Sequence, residues 1–269
     1  MELGNIYSEN CLITLRERVP DDFIDMTITS PPYDNLRDYN GYHFPVEEIA
    51  NLLYQKTKPG GVVIWVVGDR TVNGNETLTS FQHAITFQKI GFKVHDTMLY
   101  VKRNPIPSDC GKRYRQSFEY MFCFSKGQPK TFNPITEPIK SAGQKITAFR
   151  ITGKGRGNVP DEDIGRAIKT ERKVSNIFSY NVGTSSSKDK IAFKHPAIFP
   201  EQLVEDQIST WTNEGDIVYD CFMGSGTTAK IAHQLDRRWI GSEISEEYVA
   251  IAKQRLAPYL DNLELSATK

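Results

Sequence analysis

Asp216-Ile217-Val218-Tyr219-Asp220-Cys221-Phe222-Met223-Gly224-Ser225-Gly226-Thr227-Thr228 is an apolar strand running straight into a glycine turn. Gly224 and Gly226 let the backbone bend sharply and come close to a ligand. Ala229, Ile231, Ala232 and Leu235 follow at helical spacing. Strand, turn and helix in this order gather backbone amides and the positive end of a helix dipole at one point. Arg238-Trp239-Ile240-Gly241-Ser242-Glu243 reads as the next strand, and its terminal carboxylate is suited to two hydrogen bonds from ribose hydroxyls. Ser245 with Glu246 and Glu247 caps a last helix, expected through Leu256.

The same alternation governs the amino-terminal part. Phe23-Ile24-Asp25-Met26-Thr27-Ile28 is a strand, and Val62-Val63-Ile64-Trp65-Val66-Val67, after Pro59-Gly60-Gly61, is a run of the kind buried on both faces of a parallel sheet. Between them Pro45, Glu47 and Glu48 start a helix with Ile49, Leu52 and Leu53 as its apolar stripe. A second helix is expected over 78–90, stopped by Gly91, and strands over 97–102 and 118–125. Elements alternating in this way predict an α/β fold with a doubly wound, mostly parallel sheet.

Between the first strand and its helix stands Thr29-Ser30-Pro31-Pro32-Tyr33. Two prolines hold the chain extended past the strand end. Ser30 and the Pro31 carbonyl are left as acceptors, and Tyr33 as a stacking face, a corner able to hold a planar ring with an amino group. As an isolated dipeptide Pro31-Pro32 would only end a strand.

Bulk properties narrow the setting. The 269 residues carry no net charge, and 39% of them are hydrophobic, enough for a substantial core. No apolar run reaches the ~18 residues of a membrane span, and Met1-Glu2-Leu3-Gly4 opens no signal peptide, so a soluble cytosolic protein is expected. Cys11, Cys110, Cys123 and Cys221 are scattered, which argues against a zinc site or disulfide framework. The zero net charge hides an imbalance: residues 127–190 hold twelve basic and six acidic residues. That segment is either a solvated insertion or a surface for a polyanion. Within it, Gly153-Lys154-Gly155-Arg156-Gly157 is a phosphate-contacting or simply mobile loop.

The glycine turn alone also fits the dinucleotide fingerprint, so an NAD-dependent oxidoreductase stays open at this point, whereas a Walker loop is excluded for want of Gly-Lys-Ser/Thr. Turn and corner together, Asp220-x-Phe222-x-Gly224-x-Gly226-Thr227-Thr228 with Thr29-Ser30-Pro31-Pro32-Tyr33, resemble the S-adenosylmethionine-dependent DNA amino-methyltransferases. Pro59-Gly60-Gly61, Ser117-Phe118-Glu119-Tyr120, Ser125-Lys126-Gly127, the stretch from His195 to Glu201 and Gly241-Ser242-Glu243-Ile244 extend the likeness. The corner precedes the turn, as in the circularly permuted beta group of that family.

The resemblance implies a seven-stranded Rossmann-like methyltransferase sheet. Residues 1–126 would form the catalytic half, 127–190 a target-recognition insertion and 191–269 the cofactor-binding half. It implies that Thr29, Phe199, Asp220, Phe222, Gly224, Ser225, Gly226, Thr227 and Glu243 hold S-adenosylmethionine, and that Ser30, Pro31, Pro32 and Tyr33 receive the base. Lys154, Arg156, Arg172 and Lys173 are candidate contacts to double-stranded DNA. His195 reads as a turn residue with no proton-transfer role. No metal and no membrane are expected, and a homodimer is left open. The host would be a prokaryote or phage, within a restriction-modification system. Cytosine N4 is preferred as the acceptor over adenine N6 because serine opens the corner. An RNA or protein-glutamine methyltransferase and a DNA-binding protein without catalysis are the remaining alternatives.

Overall fold

The computed structural model describes residues 1–32, 44–105, 111–145 and 165–266. The chain begins with β1 (Asn5–Tyr7), a short helix α1 (Cys11–Ile13) that widens into a π-turn over Thr14–Arg18, and β2 (Ile24–Thr29). Then come α2 (Val46–Lys56), β3 (Thr57–Val67), a small hairpin of β4 (Thr71–Val72) and β5 (Asn75–Glu76), α3 (Thr79–Ile90), β6 (Lys93–Lys102) and β7 (Phe118–Ser125). After β8 (Thr136–Pro138), β9 (Glu171–Lys173) and β10 (Ile177–Tyr180), the chain closes with α4 (Glu201–Trp211), β11 (Ile217–Asp220), α5 (Thr227–Gln234), β12 (Arg238–Ser242) and α6 (Glu246–Ser266).

The main sheet has the order β1-β12-β11-β2-β3-β7-β6-β10. Among the described residues five of its seven pairings are parallel, and β7 runs against its neighbours β3 and β6. The chain therefore folds as the doubly wound, mostly parallel sheet read from the sequence. Among the described residues the main sheet has eight strands rather than the expected seven. The addition is β10, four residues that bond to the outer edge of β6. Neither β10 nor β1 has a run long enough to show period-two alternation in the sequence.

β3 shows how one apolar run builds two cores. Successive side chains in a strand point to opposite faces. Val62, Ile64 and Val66 join Leu203, Val204 and Ile208 of α4 and Ala229 and Ile231 of α5. Val63, Trp65 and Val67 join Ile49 and Leu53 of α2 and Phe87 of α3 on the other side. A run with polar residues on alternate positions would have left one face without cover. β2 is likewise buried at all six positions. Its Asp25 is tolerated there because the carboxylate accepts from Lys58 Nζ at 2.6 Å and from the Ile217 amide at 2.9 Å.

Two boundaries differ from the sequence expectation. β6 begins at Lys93, four residues early, because its first half is mostly exposed and carries no apolar signal. α6 continues through Pro258 to Ser266 instead of ending near Leu256. A proline removes one backbone donor but does not oblige a helix to stop.

A second compact unit covers Pro134–Ser175, and the rest of the chain forms the first. In the second unit β8 and β9 pair antiparallel, with Arg172 on Glu137 at 2.8 Å and Thr136 on Glu171 at 2.8 Å. This unit is narrower than the segment 127–190, since 176–190 returns to the large sheet and its helices.

Candidate active site

β2 and β11 lie side by side and parallel. From β2 the chain passes through α2 to β3 on one side, and from β11 through α5 to β12 on the other. Strand order thus reverses at this seam, and a crevice opens beyond the carboxyl ends of the two strands, where open α/β sheets bind ligands. The proline corner leaves β2 there, and the glycine turn leaves β11.

Asp220, the last residue of β11, is 2% exposed. The Thr29 hydroxyl donates to its Oδ1 at 2.6 Å, the Thr228 hydroxyl to its Oδ2 at 2.6 Å, and the Phe222 amide to Oδ1 at 3.0 Å. Burial pushes the Asp220 carboxyl up to about 6, and the nearby negative charge of Glu243 adds to the rise, while the three hydrogen bonds oppose it. Next to Thr29, Ser30 is half-buried, Pro31 buried and Pro32 exposed. Tyr33 lies outside the described residues.

Glu243 stands just past β12 and braces the turn. Its Oε2 accepts from the Gly224 amide at 2.8 Å and its Oε1 from the Ser245 amide at 2.9 Å. Each carboxylate oxygen keeps a second lone pair for an outside donor. Gly224 has φ +52°, and a β-carbon there would sit 3.1 Å from His195 Nε2. Gly226 has φ +80° at the start of α5, and its β-carbon would meet the Ala252 methyl at 3.0 Å. Both conformations favour glycine, and the space a β-carbon would take is already filled, by His195 at one and by Ala252 at the other. Ile244, directly after Glu243, is 70% exposed. The sequence reading gave this apolar surface no role.

The other expected residues divide. Phe222 is half-buried among aromatic rings, 5.7 Å from Phe44 and 6.5 Å from Trp65 between centroids. Phe199 is partly buried against the core. His195 sets its ring edge-on to Tyr248 at 4.3 Å, and its Nδ1 accepts from the Ala197 amide at 3.2 Å. Ser225 and Thr227 direct their hydroxyls to Arg255, whose Nη1 lies 3.3 Å from Ser225 Oγ and 2.9 Å from Thr227 Oγ1. Arg172 and Lys173 are exposed in β9 of the second unit, whereas Lys154 and Arg156 lie outside the described residues.

Arg255 belongs to a cluster of two buried cations and two half-buried acids that the sequence reading missed. Its guanidinium also reaches Asp189 at 2.8 Å, Glu201 at 2.5 Å and the Ser225 carbonyl at 3.1 Å. Lys230 of α5 bonds the same two carboxylates, each at 2.8 Å. Burial works to raise both acids, but the hydrogen bonds and charges of Lys230 and Arg255 outweigh it and hold Asp189 and Glu201 below the ordinary carboxylate range. The sequence signal was a cation within an apolar helical run: Arg255 next to Ala252 and Leu256, and Lys230 between Ala229 and Ile231. These four charges tie 187–201 to the glycine turn.

The pocket suits a ligand with a ribose and a cationic end. Glu243 offers acceptors to hydroxyls, Asp220 offers a carboxylate to positive charge, and the glycines offer backbone. Among the described residues no group of His, Cys, Asp or Glu is arranged to hold a metal ion, and no helix is long and apolar enough to cross a membrane.

Comparison with known proteins agrees with this geometry. The chain is 50% identical over 254 residues to the orphan methyltransferase M.BamHII of Bacillus amyloliquefaciens, covering 91% of this chain and 93% of that protein. Among solved structures it is similar to PvuII DNA methyltransferase (cytosine-N4-specific), with a TM-score of 0.67 and 23% identity over 93% of this chain and 87% of that one. It is also similar to the M1.HpyAVI complex with SAM, with a TM-score of 0.57 and 25% identity over 94% and 99%. None of this supports a nicotinamide-dependent oxidoreductase or a DNA-binding protein without catalysis. The family model described as a DNA methylase, covering the N6 and N4 amino-methyltransferases, matches residues 24–254, and the chain belongs to that family.

Proposed function

We propose that this chain moves the methyl group of S-adenosylmethionine onto N4 of a cytosine in double-stranded DNA. The observation that carries the reading is the 2.6 Å bond from Thr29 to Asp220, which joins the amine-holding corner and the glycine turn into one crevice. Glu243 holds the ribose hydroxyls. Asp220, with Phe222, Gly224, Gly226 and Thr227 around it, faces the methionine part, and 195–200 with Phe199 closes the pocket. Ser225 and Thr227 contribute backbone, since their hydroxyls already serve Arg255. The exposed Ile244 offers an apolar face for the adenine ring.

When bound, S-adenosylmethionine supplies a methyl group activated by its sulfonium charge. The acceptor amine is a poor nucleophile because its lone pair is delocalised into the ring. Hydrogen bonds from the amine to Ser30 and the Pro31 carbonyl draw the nitrogen toward tetrahedral geometry and turn the lone pair to the methyl. Transfer would be a direct displacement: the nitrogen bonds the methyl carbon as the carbon–sulfur bond breaks, S-adenosylhomocysteine leaves and one amine proton is lost to solvent, with positioning supplying most of the acceleration. The base must leave the duplex to reach the corner, and Tyr33 provides the stacking face that receives it. None of the four cysteines follows a proline, the arrangement used for attack on the cytosine ring carbon, so carbon methylation is disfavoured.

Cytosine is preferred because a serine opens the corner, and the PvuII enzyme, of similar fold, is described as cytosine-N4-specific. The basic segment 127–190, with Lys154, Arg156, Arg172 and Lys173, is the proposed target-recognition region. A cytoplasmic location in a bacterial or phage-infected cell follows from the substrate. The deciding experiment is mass spectrometry of nucleosides from DNA methylated by the purified chain. N4-methylcytosine is expected, N6-methyladenine alone would replace the base, and absence of any methylated nucleoside would overturn the reading.

A further inference from the structure

We infer that residues 111–117, which lead into β7, are a second DNA-contacting element, separate from the basic segment 127–190, and that Lys112 and Arg115 grip phosphates flanking the flipped base. The inference rests on the proposed action on duplex DNA. β2, β3, β6 and β11 run in one direction and β7 in the other, so the carboxyl ends of the first four share an edge with the start of β7. Ser30, Pro31 and Pro32, the glycine turn and residues 111–117 therefore all lie on that edge. With strands about 4.8 Å apart, β7 starts roughly 10 Å from β2 and β6 ends roughly 14 Å away.

A duplex that presents a base at Ser30 lays its neighbouring phosphates over adjacent strand ends, at one negative charge per about 1.7 Å of axis. On the β11 and β12 side that space belongs to the cofactor crevice. The sequence 103–117 that joins β6 to β7 holds four cations, Arg103, Lys112, Arg113 and Arg115, and a lone acid, Asp109. All of residues 111–116 are exposed, Tyr114 completely. The loop is anchored: Arg113 bonds the Gly74 carbonyl and approaches Glu76 at 3.6 Å, tying it to the β4–β5 hairpin. Arg113 is thus partly spent on structure, while Lys112 and Arg115 flank an exposed aromatic ring, a combination that fits a phosphate backbone with sugar or base surface between. Nothing in the hydrophobic core requires this charge at the sheet edge.

The test is fluorescence anisotropy of a labelled mixed-sequence duplex, titrated with the full chain over a range of salt concentrations. The Lys112→Ala/Arg115→Ala variant should bind roughly tenfold more weakly, and the slope of log affinity against log salt should fall by about two, one per lost phosphate contact. Its melting temperature and S-adenosylmethionine affinity should equal those of the parent. Lys93→Ala, at the opposite edge of the sheet, should change neither affinity nor slope. The Lys112→Gln/Arg115→Gln pair should repeat the loss with side-chain bulk retained. An unchanged slope in either double variant, or an equal loss from Lys93→Ala, overturns the assignment while DNA remains the substrate. A parent chain that binds no duplex overturns both. A parent that binds through this loop but transfers no methyl group upholds the loop and rejects the proposed reaction.

Discussion

The hydroxyl of Thr29 donates to the Asp220 carboxylate at 2.6 Å, a bond between residues 191 positions apart in the chain and on adjacent strands of the sheet. It closes the seam where strand order reverses, so the two halves of the crevice share one buried acceptor. Thr29→Val keeps the shape and removes the donor from a fully buried site. Loss of one such bond with its charged partner left short costs about 1–3 kcal/mol. The expected outcome is a lower midpoint in urea and weaker S-adenosylmethionine binding, with Thr29→Ser restoring most of both. Equal behaviour of the valine and serine variants would remove the bond from the account.

Asp220 also gives the protein a definite pH response. Its folded-state value, about 6, lies above the ordinary 3.8, so the folded chain holds the proton more tightly than the unfolded chain. The resulting stability is complete below the unfolded value and is lost as pH rises through about 6. A shift of this size corresponds to about 3 kcal/mol. Asp220→Asn cannot ionise, so the stability of the parent relative to this variant should fall by that amount between about pH 3 and pH 7 in urea melts. Parallel curves would show that the carboxyl does not titrate in this window. A cationic ligand favours the carboxylate, so S-adenosylmethionine should bind more weakly below about pH 6 in the parent and without that dependence in the variant.

Gly224 tests the turn. Alanine there meets a left-handed backbone and the His195 ring together. The backbone alone costs about 1–2 kcal/mol. Gly224→Ala should lose cofactor affinity as well as stability, because the added methyl displaces the His195 ring, in the 195–200 segment proposed to close the pocket. Isothermal titration beside thermal melts separates the two, and a loss confined to the melts would argue against a ligand at this backbone.

What the sequence disclosed and what it concealed follow from range. The β3 run and the strand-turn-helix at Asp220 are contiguous in the chain, so their periodicity and glycines could be read directly, and Glu243 follows at the end of the next strand. The partners of these residues are remote. That Ser225 and Thr227 turn their hydroxyls to Arg255, and not into the crevice, depends on helix α6 packing beside the turn. β10 was concealed for the same reason, since its four residues become a strand only through the edge of β6. The charge of 103–117 does not stand out in the sequence because the strands on either side carry charges of their own, Lys102 and Glu119 among them.

Arg255 carries the last prediction. Its side chain is fully buried and shares Asp189 and Glu201 with Lys230, so two cations balance two anions beneath the glycine turn. Arg255→Met leaves two carboxylates with one cation, and breaking a buried pair from one side costs about 3–5 kcal/mol. Removing one acid as well, in Arg255→Met/Glu201→Gln, restores the charge balance. The double variant should therefore be more stable than the sum of the two single losses allows, with a coupling of about 0.5–3 kcal/mol. Strict additivity in chemical denaturation would mean that these charges do not act as a unit. The cluster also holds 187–201 against the turn, so the single arginine variant should raise the KM for S-adenosylmethionine more than the KM for DNA. Arg255→Lys should recover charge and part of the stability but little of that KM, because a lysine cannot span Asp189, Glu201 and Thr227 with one planar group.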